Sequence, residues 1–438
     1  QVRTPIQQCG LELFHEQPLA ALFGERCIEE AITRSLHGHQ RHLEPGMRSL
    51  ERGRDELRLP QRERTFAGSY SDPFGHGCGG AGGGVIWRCF GVCHELASEA
   101  IRGCASAMLR FARTRNKDGR TMPRRMLVVM DPIEHSKPAK DTSLALMEAG
   151  ARAGFGTWYA GLSDLALVDG EARGRVRGVR VHTHERPHFT WLTEPEEQPL
   201  GAFDCILMRK DPPFDFEYVV ATYLLEQAQA DGALVVNDPR ALRDTNEKFF
   251  AARFTEFTPP TLITRDAARI RAFHTEHPDL ILKPLDAMGG ASVFHVGPEA
   301  RNLGVIIETL TAHGTRFCVA QKFLADIALG DRRVLVVDGQ PMQHVLARIP
   351  QGSELRGNLA AGGRGEVQPI SEREHAIASA LGPRLAAMGH LLVGLDVIGG
   401  YLTEVNVTSP TCVREIEAGS DTRVADPFIE ALLARLPH

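Results

Sequence analysis

The chain has 438 residues, of which 43% are hydrophobic and 24% charged, with a mean hydropathy of -0.18. These values are typical of a globular protein and exclude a fibrous or wholly disordered chain. The length predicts about three domains of roughly 150 residues each. The formal net charge of -5 excludes a general attraction to nucleic acid or an anionic membrane surface. The sequence also lacks the run of about 18 apolar residues that a transmembrane helix needs.

The first 125 residues differ in composition from the rest. They carry 19 Lys and Arg against 14 Asp and Glu, a net of +5, whereas the remainder has 31 basic and 41 acidic residues, a net of -10. They also hold six of the nine cysteines and an Arg/Glu run at 40–65 with few apolar anchors. Such composition predicts a disordered or irregular segment. We expect 1–125 to be an extra N-terminal segment, with Met122 or Met126 as a candidate start.

From Met126 onward, apolar runs alternate with amphipathic ones. In chain order we predict a strand at 126–130, a helix at 141–153 with Asp141 or Thr142 near its N-cap, strands at 157–161 and 203–208, a helix at 216–231 and a strand at 233–237. Strands alternating with helices predict an open, largely parallel α/β sheet. Ligands bind such sheets beyond the carboxyl ends of the strands, where the segments MDPI and MRKDPPFD lie.

The pattern changes after Asn246. A short helix carries Lys248, and TLITRD and LILKPLD predict strands of a second sheet. A hairpin is predicted to turn at Asp338-Gly339, and a long loop follows its second strand. The C-terminal part reads as a helix near 372–389, two strands around Gly399-Gly400 and a final helix near 425–435.

Two lysines suggest a phosphate site. The chain has only seven Lys against 43 Arg, so each lysine is informative. Lys283 lies on a predicted strand before the turn at Gly289 and Gly290, where backbone N–H groups can approach phosphate oxygens. By itself such a turn is more often a plain hairpin. Together with Lys248 and Lys283 it indicates phosphate binding.

The segment Glu404-Val405-Asn406 suggests a metal site. Residues i and i+2 of a strand face the same side, and carboxylate and amide oxygens suit Mg²⁺. Asp396 joins them on one face if the hairpin has a three-residue loop, Gly399–Tyr401, with a bulge; a two-residue loop would turn it to the other face. We predict the three-residue loop. The alternative is an ordinary exposed hairpin with polar residues outward.

The loop from Arg348 to Glu366 contains five glycines and three arginines, among them Arg356 and Arg364. A cationic loop of this length is either a disordered surface loop or a lid that orders on an anionic ligand, and the glycine-flanked arginines favour the lid.

No Ser-His-Asp arrangement, nucleophilic Cys or GxGxxG fingerprint is evident. Cys205, Cys318 and Cys412 lie in or beside apolar segments and predict buried thiols in a reducing compartment.

Long motifs from Met126 onward carry a family resemblance. They are MDPI, LMRKDPPFD, LRDTNEKFF, ILKPLDAMGGASVF, RVLVVDG, LARIPQGSELRGNLAAGGRGE, VGLDVIG and LTEVNVTSPTCVREIE. Through them 126–438 closely resembles bacterial glutathione synthetase, of the ATP-grasp superfamily. Residues 1–125 match nothing in that family.

The resemblance implies an α/β (α+β) ATP-grasp fold in which an open parallel α/β domain precedes a two-subdomain ATP-grasp module. The implied domains are a substrate domain at 126–246 and an ATP-grasp domain at 247–438, divided into a central lid subdomain, 247–320, and a C-terminal subdomain, 321–438. It implies an ATP-dependent carboxylate–amine ligase that joins γ-glutamylcysteine and glycine through an acyl phosphate, giving glutathione, ADP and phosphate. It also implies a cytoplasmic homotetramer without nucleic-acid or membrane partners.

The resemblance further implies site residues and two Mg²⁺ (or Mn²⁺) ions per site. The implied catalytic arginines are Arg333, Arg348, Arg356 and Arg364. The implied ATP-binding residues are Lys248, Lys283, Gly289, Gly290, Gln321, Lys322, Phe323, Leu324 and Asp331. The implied peptide-binding residues are Lys140, Asp141, Arg209 and Arg348. The implied metal ligands are Asp396, Glu404 and Asn406.

Two other functions remain open on the residues alone. One is another carboxylate–amine ligase, of the D-alanine–D-alanine or glutamate-adding type. The other is a non-catalytic nucleotide-binding protein of the synapsin sort, which the intact candidate metal ligands and the full loop disfavour.

Overall fold

The computed structural model describes residues 123–352, 355–359 and 362–437. The expectation that the N-terminal segment is irregular therefore falls outside the described residues. In the described part no helix is long and apolar enough to cross a membrane.

The first sheet has eight strands in the order β3-β4-β2-β1-β7-β8, with β5 and β6 also paired to β4. The strands are β1 (Arg125–Met130), β2 (Gly156–Ala160), β3 (Leu165–Val168), β4 (Glu171–Val181), β5 (Phe189–Trp191), β6 (Glu196–Pro199), β7 (Cys205–Arg209) and β8 (Leu234–Val236). Helices α1 (Thr142–Arg152), α2 (Phe216–Ala230), α3 (Pro239–Asp244) and α4 (Glu247–Ala251) connect or follow them.

The predicted parallel sheet is confirmed in its centre, where β1 pairs in parallel with β2 and β7, and β7 with β8. Its strands are buried on both faces, as expected for parallel strands under helices. The sequence did not predict strands β3–β6, which extend this sheet through antiparallel pairs. Much of β4 alternates between buried and more exposed positions, as is common for antiparallel strands.

The predicted first helix is confirmed with its cap. The Asp141 carboxylate accepts a hydrogen bond from the Leu144 backbone N–H at 2.9 Å, which satisfies one of the free donors of the first turn. The cap places Lys140 immediately outside the helix.

The second sheet is antiparallel, with four strands in the order β11-β10-β12-β9. Its strands are β9 (Thr261–Thr264), β10 (Leu280–Pro284), β11 (Phe294–Val296) and β12 (Cys318–Lys322). Helices α5 (Ala267–Glu276) and α6 (Leu303–Thr311), absent from the prediction, contribute to a separate small core that includes Ile270, Leu282 and Ile307.

The third sheet is antiparallel, in the order β16-β15-β13-β17-β18, with the short β14 on β13. Its strands are β13 (Asp331–Val337), β14 (Gln340–Pro341), β15 (His344–Ile349), β16 (Arg364–Pro369), β17 (Leu392–Ile398) and β18 (Tyr401–Asn406). Helices α7 (Glu372–Ala387), α8 (Val413–Gly419) and α9 (Ala425–Leu433) complete this part. The hairpin predicted at Asp338-Gly339 is confirmed.

The β17–β18 hairpin corrects the predicted loop. Ile398 pairs with Tyr401, so the turn has two residues, Gly399 and Gly400, and not three. Both glycines have positive φ, +56° and +78°, as a tight hairpin turn that follows the sheet twist requires. The extra residue is Thr403, which forms a bulge after the turn. The predicted pairing of Asp396 with Glu404 is nevertheless confirmed.

The first and third sheets share one hydrophobic core. A single cluster of buried side chains runs from Leu127 and Ile206 in the first sheet to Val334 and Val405 in the third.

The described cysteines Cys205, Cys318 and Cys412 are free and buried, which confirms the predicted buried thiols.

Candidate active site

Two buried lysines from different elements meet at strand β18. Lys248, on the short helix α4, forms an ion pair with Glu404 at 2.8 Å between Nζ and Oε1. Lys283, on β10, donates to the Gln321 side chain at 3.3 Å and to the backbone carbonyl of Thr403 at 3.4 Å. Lys283 from the second sheet and Lys248 from the helix before that sheet therefore both reach strand β18 of the third sheet, which carries Glu404.

Burial acts on both lysines, but their neighbours differ. For Lys248 burial favours loss of the proton, yet the nearby carboxylates of Glu404, Glu247 and Asp396 together outweigh it and raise the lysine pKa. For Lys283 burial dominates and lowers the pKa, although Glu404 attracts the charge. Of the two lysines, Lys283 therefore has the surroundings that favour its charge less.

Four charged side chains form a buried network beside these lysines. Arg333 donates from Nε to Asp396 Oδ1 at 2.6 Å and from an Nη to Oδ2 at 3.1 Å. Arg348 contacts Asp396 at 2.9 Å and Asp331 at 2.5 Å. All four are nearly inaccessible to solvent. Because Arg333 and Asp396 are paired across β13 and β17, the strand register itself sets this contact.

The two carboxylates of the network titrate differently. Burial raises the pKa of Asp331 to about 6, with Arg348 pulling it down. Burial acts in the same direction on Asp396, but Arg333 and Arg348 together outweigh it and lower the pKa of Asp396. Oδ1 of Asp331 is buried and has no hydrogen-bond partner in the described part of the chain.

The hairpin side chains fit a hard cation that is shared with a phosphate ligand. Oε1 of Glu404 is paired with the Lys248 ammonium, and the Asn406 amide nitrogen donates to the Gly394 carbonyl at 3.2 Å. Their remaining oxygens, with Asp396, form an all-oxygen donor set of the kind Mg²⁺ prefers. No group of three or more His, Cys, Asp or Glu side chains among the described residues could hold a metal. A metal here would therefore need oxygens from its ligand as well.

The predicted nucleotide strand lies along the edge of this site. Gln321 contacts Lys283 and donates to Thr261 at 2.9 Å, and Lys322 is exposed at the end of β12. The Phe323 ring packs on His295 with centroids 4.3 Å apart. Leu324 follows at the start of a single 3-10 turn.

The predicted glycine turn is in contact with the arginine loop. Gly290 has φ +80°, and a Cβ there would lie 2.7 Å from Asn358 Oδ1 and 2.9 Å from Arg356 Cδ. Arg356 in turn donates to the Gly290 carbonyl at 3.2 Å. Loop and turn therefore pack closely, and only glycine fits at this position.

Other predicted residues lie apart from this cluster or are already engaged. Arg364 begins β16, pairs with Glu366 and is largely exposed. Arg209 is buried and donates to Ser143 Oγ at 3.1 Å and to the Pro410 carbonyl at 2.9 Å. Asp141 serves as the cap of α1, and Lys140 is exposed.

Two residues at the site, the half-buried Glu247 and the buried Asn237, are absent from the prediction. Glu247 Oε1 accepts three hydrogen bonds, from the backbone N–H groups of Val407 and Thr408 and from the Thr408 hydroxyl, at 2.9 to 3.1 Å. Asn237 bonds through its amide to Leu391, Leu392 and Val407. Neither belongs to a spacing pattern, because their partners are more than 150 residues away.

Comparison with known proteins identifies the family. Residues 125–243 match the model of the prokaryotic glutathione synthetase N-terminal domain, and residues 247–421 match that of its ATP-grasp domain. Glutathione synthetase of Shewanella oneidensis is 52% identical over 309 residues, which are 70% of this chain and 98% of that protein. The chain belongs to the prokaryotic glutathione synthetase family. Glutathione synthetase of Pseudomonas aeruginosa, 53% identical over 312 residues, covers 71% of this chain and 98% of its own length.

A solved structure of low sequence identity has a similar fold. The crystal structure of the D-cycloserine synthetase DcsG aligns with a TM-score of 0.53 and 16% identity, over 72% of this chain and all of that one. The ATP-grasp fold of this chain is shown by the match of residues 247–421 to the ATP-grasp domain of the family. As a member of the glutathione synthetase family, the protein is an ATP-dependent ligase.

Proposed function

We propose that this chain joins γ-glutamylcysteine to glycine at the expense of ATP. In the first step the cysteinyl carboxylate attacks the γ-phosphorus of ATP, which gives an acyl phosphate and ADP. In the second step the amine of glycine attacks the acyl carbon, loses a proton and expels phosphate, which gives glutathione. Substrate ammonium must lose its proton before attack, and no side chain among the described residues stands out as its acceptor.

One observation carries the proposal: four buried cations converge on the β17–β18 hairpin. Arg333, Arg348 and Lys248 pair with its carboxylates, and Lys283 donates to the backbone carbonyl of Thr403. Phosphorylating a carboxylate brings two anions together, and preorganised cations in a dry site lower the cost of that approach. The relatives whose whole length the chain matches bear the name of this activity.

We assign roles within the cluster as follows. Lys248 and Lys283 hold the ATP phosphates, Gly289 and Gly290 approach them with backbone N–H groups, and the strand end Gln321, Lys322, Phe323 and Leu324 receives the adenine. Arg333 and Arg348 orient the acceptor carboxylate and the transferred phosphoryl group, and Asp331 holds Arg348 in place. Positioning of this kind supplies much of the catalysis in phosphoryl transfer.

Asp396, Glu404 and Asn406 are proposed to hold two Mg²⁺ or Mn²⁺ ions together with the nucleotide. When bound, the ions neutralise charge on the phosphates. The cationic partners now on these carboxylates, Arg333, Arg348 and Lys248, would then be free to turn toward the substrate anions.

The loop at 349–366 is proposed to close over the acyl phosphate and exclude water, which would hydrolyse it. Contact between Arg356 and Gly290 supports this role, because it places the loop against the turn that is proposed to hold the phosphates. Arg364 would join the site when the loop closes.

The remaining assignments are coarser. We propose a substrate domain at 126–246, joined at its start by the packed residues Arg124 and Arg125, and an ATP-grasp domain at 247–438. The latter is divided near β12 into 247–320 and 321–438, and the segment before Arg124 is proposed to lie outside the enzyme. Lys140, Asp141 and Arg209 are proposed to lie near the peptide. Buried free thiols support a cytoplasmic location, and a homotetramer is proposed by resemblance to the family.

The test is an assay of ADP release with purified full-length chain. We expect release with γ-glutamylcysteine plus glycine, and glutathione in equal amount. Turnover only with D-alanine or with glutamate as acceptor would instead establish one of the other ligases. Nucleotide binding without turnover on any of these substrates would establish the non-catalytic alternative.

A further inference from the structure

The β17–β18 hairpin contacts both chain segments that connect the second sheet to the rest of the molecule. Before the sheet lies an entry segment, residues 252–260, in which the Phe257 carbonyl accepts a hydrogen bond from the Leu402 backbone N–H at 2.8 Å. After the sheet, Asp326 in the 3-10 turn lies so close to Gly399 that a Cβ on this glycine would overlap the carboxylate. The second sheet is therefore joined at both ends to the hairpin that carries the three proposed metal ligands.

Arg373, the second residue of α7, links the hairpin turn to the entry segment. Its Nε donates to the Gly400 carbonyl at 3.0 Å, and an Nη donates to the Glu256 carbonyl at 3.3 Å. Its guanidinium also lies over the Phe257 ring, 5.3 Å from the centroid. One side chain thus bonds to the backbone on both sides of this contact.

The stability of α7 does not account for an arginine at this position. A cation in the first turn of a helix faces the positive end of the helix dipole. The helix already begins with a capping box formed by Ser371 and Glu374. The rigid fork of a guanidinium, by contrast, can donate to two carbonyls at once. The contacts of Arg373 therefore serve the junction between the hairpin and the entry segment.

This junction lies close to the proposed metal ligands and to a cation of the second sheet. Glu404 follows Gly400 by four residues on the same hairpin. Between them, the Thr403 carbonyl accepts a hydrogen bond from Lys283 at 3.4 Å. A shift of the turn relative to the second sheet would therefore change the distance between Lys283 and Glu404, and the interaction of charged groups depends directly on that distance.

We propose that Arg373 is a positioning residue of the ligase, which holds the β17–β18 turn against the entry segment and thereby fixes the proposed metal ligands opposite Lys283. The inference rests on the proposed function, which places the metal ions and the ATP phosphates between these groups. Arg373 acts through backbone carbonyls and contacts none of the groups proposed to bind substrate. Its removal leaves the bond between Leu402 and Phe257, so the hairpin folds but is held less firmly.

The test is Arg373→Ala in the full-length chain. We expect the Mg²⁺ concentration for half-maximal ADP release and the KM for ATP each to rise about tenfold, because the metal ligands and Lys283 no longer keep their relative positions. The KM values for γ-glutamylcysteine and glycine, and kcat at saturating Mg²⁺ and ATP, should stay within about twofold of the wild type. An unchanged Mg²⁺ requirement and KM for ATP would overturn the proposal, whatever the stability of the variant.

The matched control is Arg384→Ala. Arg384 is exposed on the same helix, about three turns further along, and lies over the Phe254 ring of the entry segment, also 5.3 Å from the centroid. Its removal costs the same kind of ring contact with the same segment, and we expect wild-type Mg²⁺ dependence and KM for ATP. Urea midpoints of both variants give the effect on folding. An equal rise in Mg²⁺ requirement in the two variants would show a general loosening of α7 and overturn the positioning role.

Equilibrium binding separates this inference from the proposed function. The affinity of a non-hydrolysable ATP analogue is measured by calorimetry over a range of Mg²⁺ concentrations, in the wild type and in Arg373→Ala. A higher Mg²⁺ requirement for binding in the variant, with no ADP release by the wild type on γ-glutamylcysteine and glycine, would support the positioning role and overturn the proposed reaction. Glutathione formation by both proteins with the same Mg²⁺ dependence would support the reaction and overturn the positioning role.

Discussion

At the scale of single residues, the charged side chains of the candidate site form ion pairs with one another. Arg333 and Arg348 face Asp396, Arg348 also faces Asp331, and Lys248 faces Glu404. Buried charges need such partners, since an unpaired one costs several kcal/mol. The substrate anions and metal ions that are proposed to bind here would therefore have to displace these paired side chains from one another.

Replacing Glu404 tests this exchange. Glu404→Gln keeps the shape of the side chain but removes the charge that holds Lys248 and is proposed to hold the metal. We expect ADP release to fall at least about 100-fold and the Mg²⁺ concentration for half-maximal rate to rise. Glu430→Gln, on the exposed face of α9, is the control and should behave as wild type. Wild-type activity and Mg²⁺ dependence in Glu404→Gln would rule out the metal role.

His390 gives a pH dependence of stability at a site away from the chemistry. It is buried, bonded to Thr245 at 3.0 Å through Nε2, and its Nδ1 has no partner among the described residues. Burial lowers its pKa to about 4 from 6.5. The folded state then binds fewer protons than the unfolded state between these values, so stability is present above pH 6.5 and is lost as pH falls toward 4.

The size of this loss follows from the shift in pKa. At pH 5 it amounts to about 2 kcal/mol, and it approaches about 3 kcal/mol below pH 4. Urea unfolding of wild type and His390→Gln at pH 7 and pH 5 measures it. We expect the wild type to lose about 2 kcal/mol more than the variant over this interval. An identical pH dependence of the two proteins would contradict the assignment.

At the scale of elements, a helix of five residues carries Lys248, the lysine that is proposed to hold the ATP phosphates. So short a helix is unstable alone, and Glu247 ties its first turn to the end of β18 through three hydrogen bonds. Burial raises the pKa of Glu247, with Glu404 adding to the rise and Lys248 opposing it. The hydrogen bonds of Glu247 thereby fix the position of Lys248 relative to Glu404.

Glu247→Ala should separate positioning from folding. Loss of the bonds leaves two backbone N–H groups unpaired, so we expect a destabilisation of about 3 kcal/mol in urea unfolding. We also expect KM for ATP to rise about tenfold or more while KM for γ-glutamylcysteine stays near its wild-type value. Glu247→Gln retains an acceptor oxygen and should recover most of both. A loss of stability with an unchanged KM for ATP would leave Glu247 with a structural role only.

The arginine loop can be tested through the coupling of ATP use to product. Arg364→Ala should loosen closure and let water reach the acyl phosphate, so that more than one ATP is consumed per glutathione and turnover falls. Arg301→Ala is a matched control because Arg301 is also exposed and pairs with a Glu two residues away. An unchanged rate and an ATP-to-glutathione ratio of one in Arg364→Ala would remove the loop arginine from the mechanism.

At the scale of the whole molecule, the start of β1 joins distant parts of the chain. The Arg124 guanidinium donates to the Pro437 carbonyl at 3.2 Å, and the Arg125 backbone N–H donates to Asp204 at 2.6 Å. The Arg125 guanidinium also lies over the Trp158 and Phe203 rings at 4.7 and 4.3 Å. Residues 124 and 125 thus belong to the packed structure.

A truncation series checks the proposed boundary. A chain starting at Met122 keeps these contacts, and we expect its ADP release and urea midpoint to match the full chain. A chain starting at Met126 loses them, so we expect it to be less stable by about 1–3 kcal/mol. Loss of activity in the Met122 chain would show that 1–121 contribute to the enzyme.

The sequence by itself determined what depends on neighbours along the chain. Apolar runs and a capping Asp141 predict most strands and the first helix, because burial and capping act within a few residues. Motifs of 7 to 16 residues, which carry the family resemblance, also predicted Lys248, Lys283 and the three proposed metal ligands of the hairpin.

The tertiary structure alone decided what depends on distant partners. The hairpin turn illustrates this: its two glycines allow either loop length, and packing of the third sheet selects a two-residue turn with a bulge at Thr403. Likewise, local pattern gives no signal for the bonds of Glu247 to Thr408. Contacts across more than 150 residues are formed only when sheets and helices pack, so their partners cannot be read from spacing.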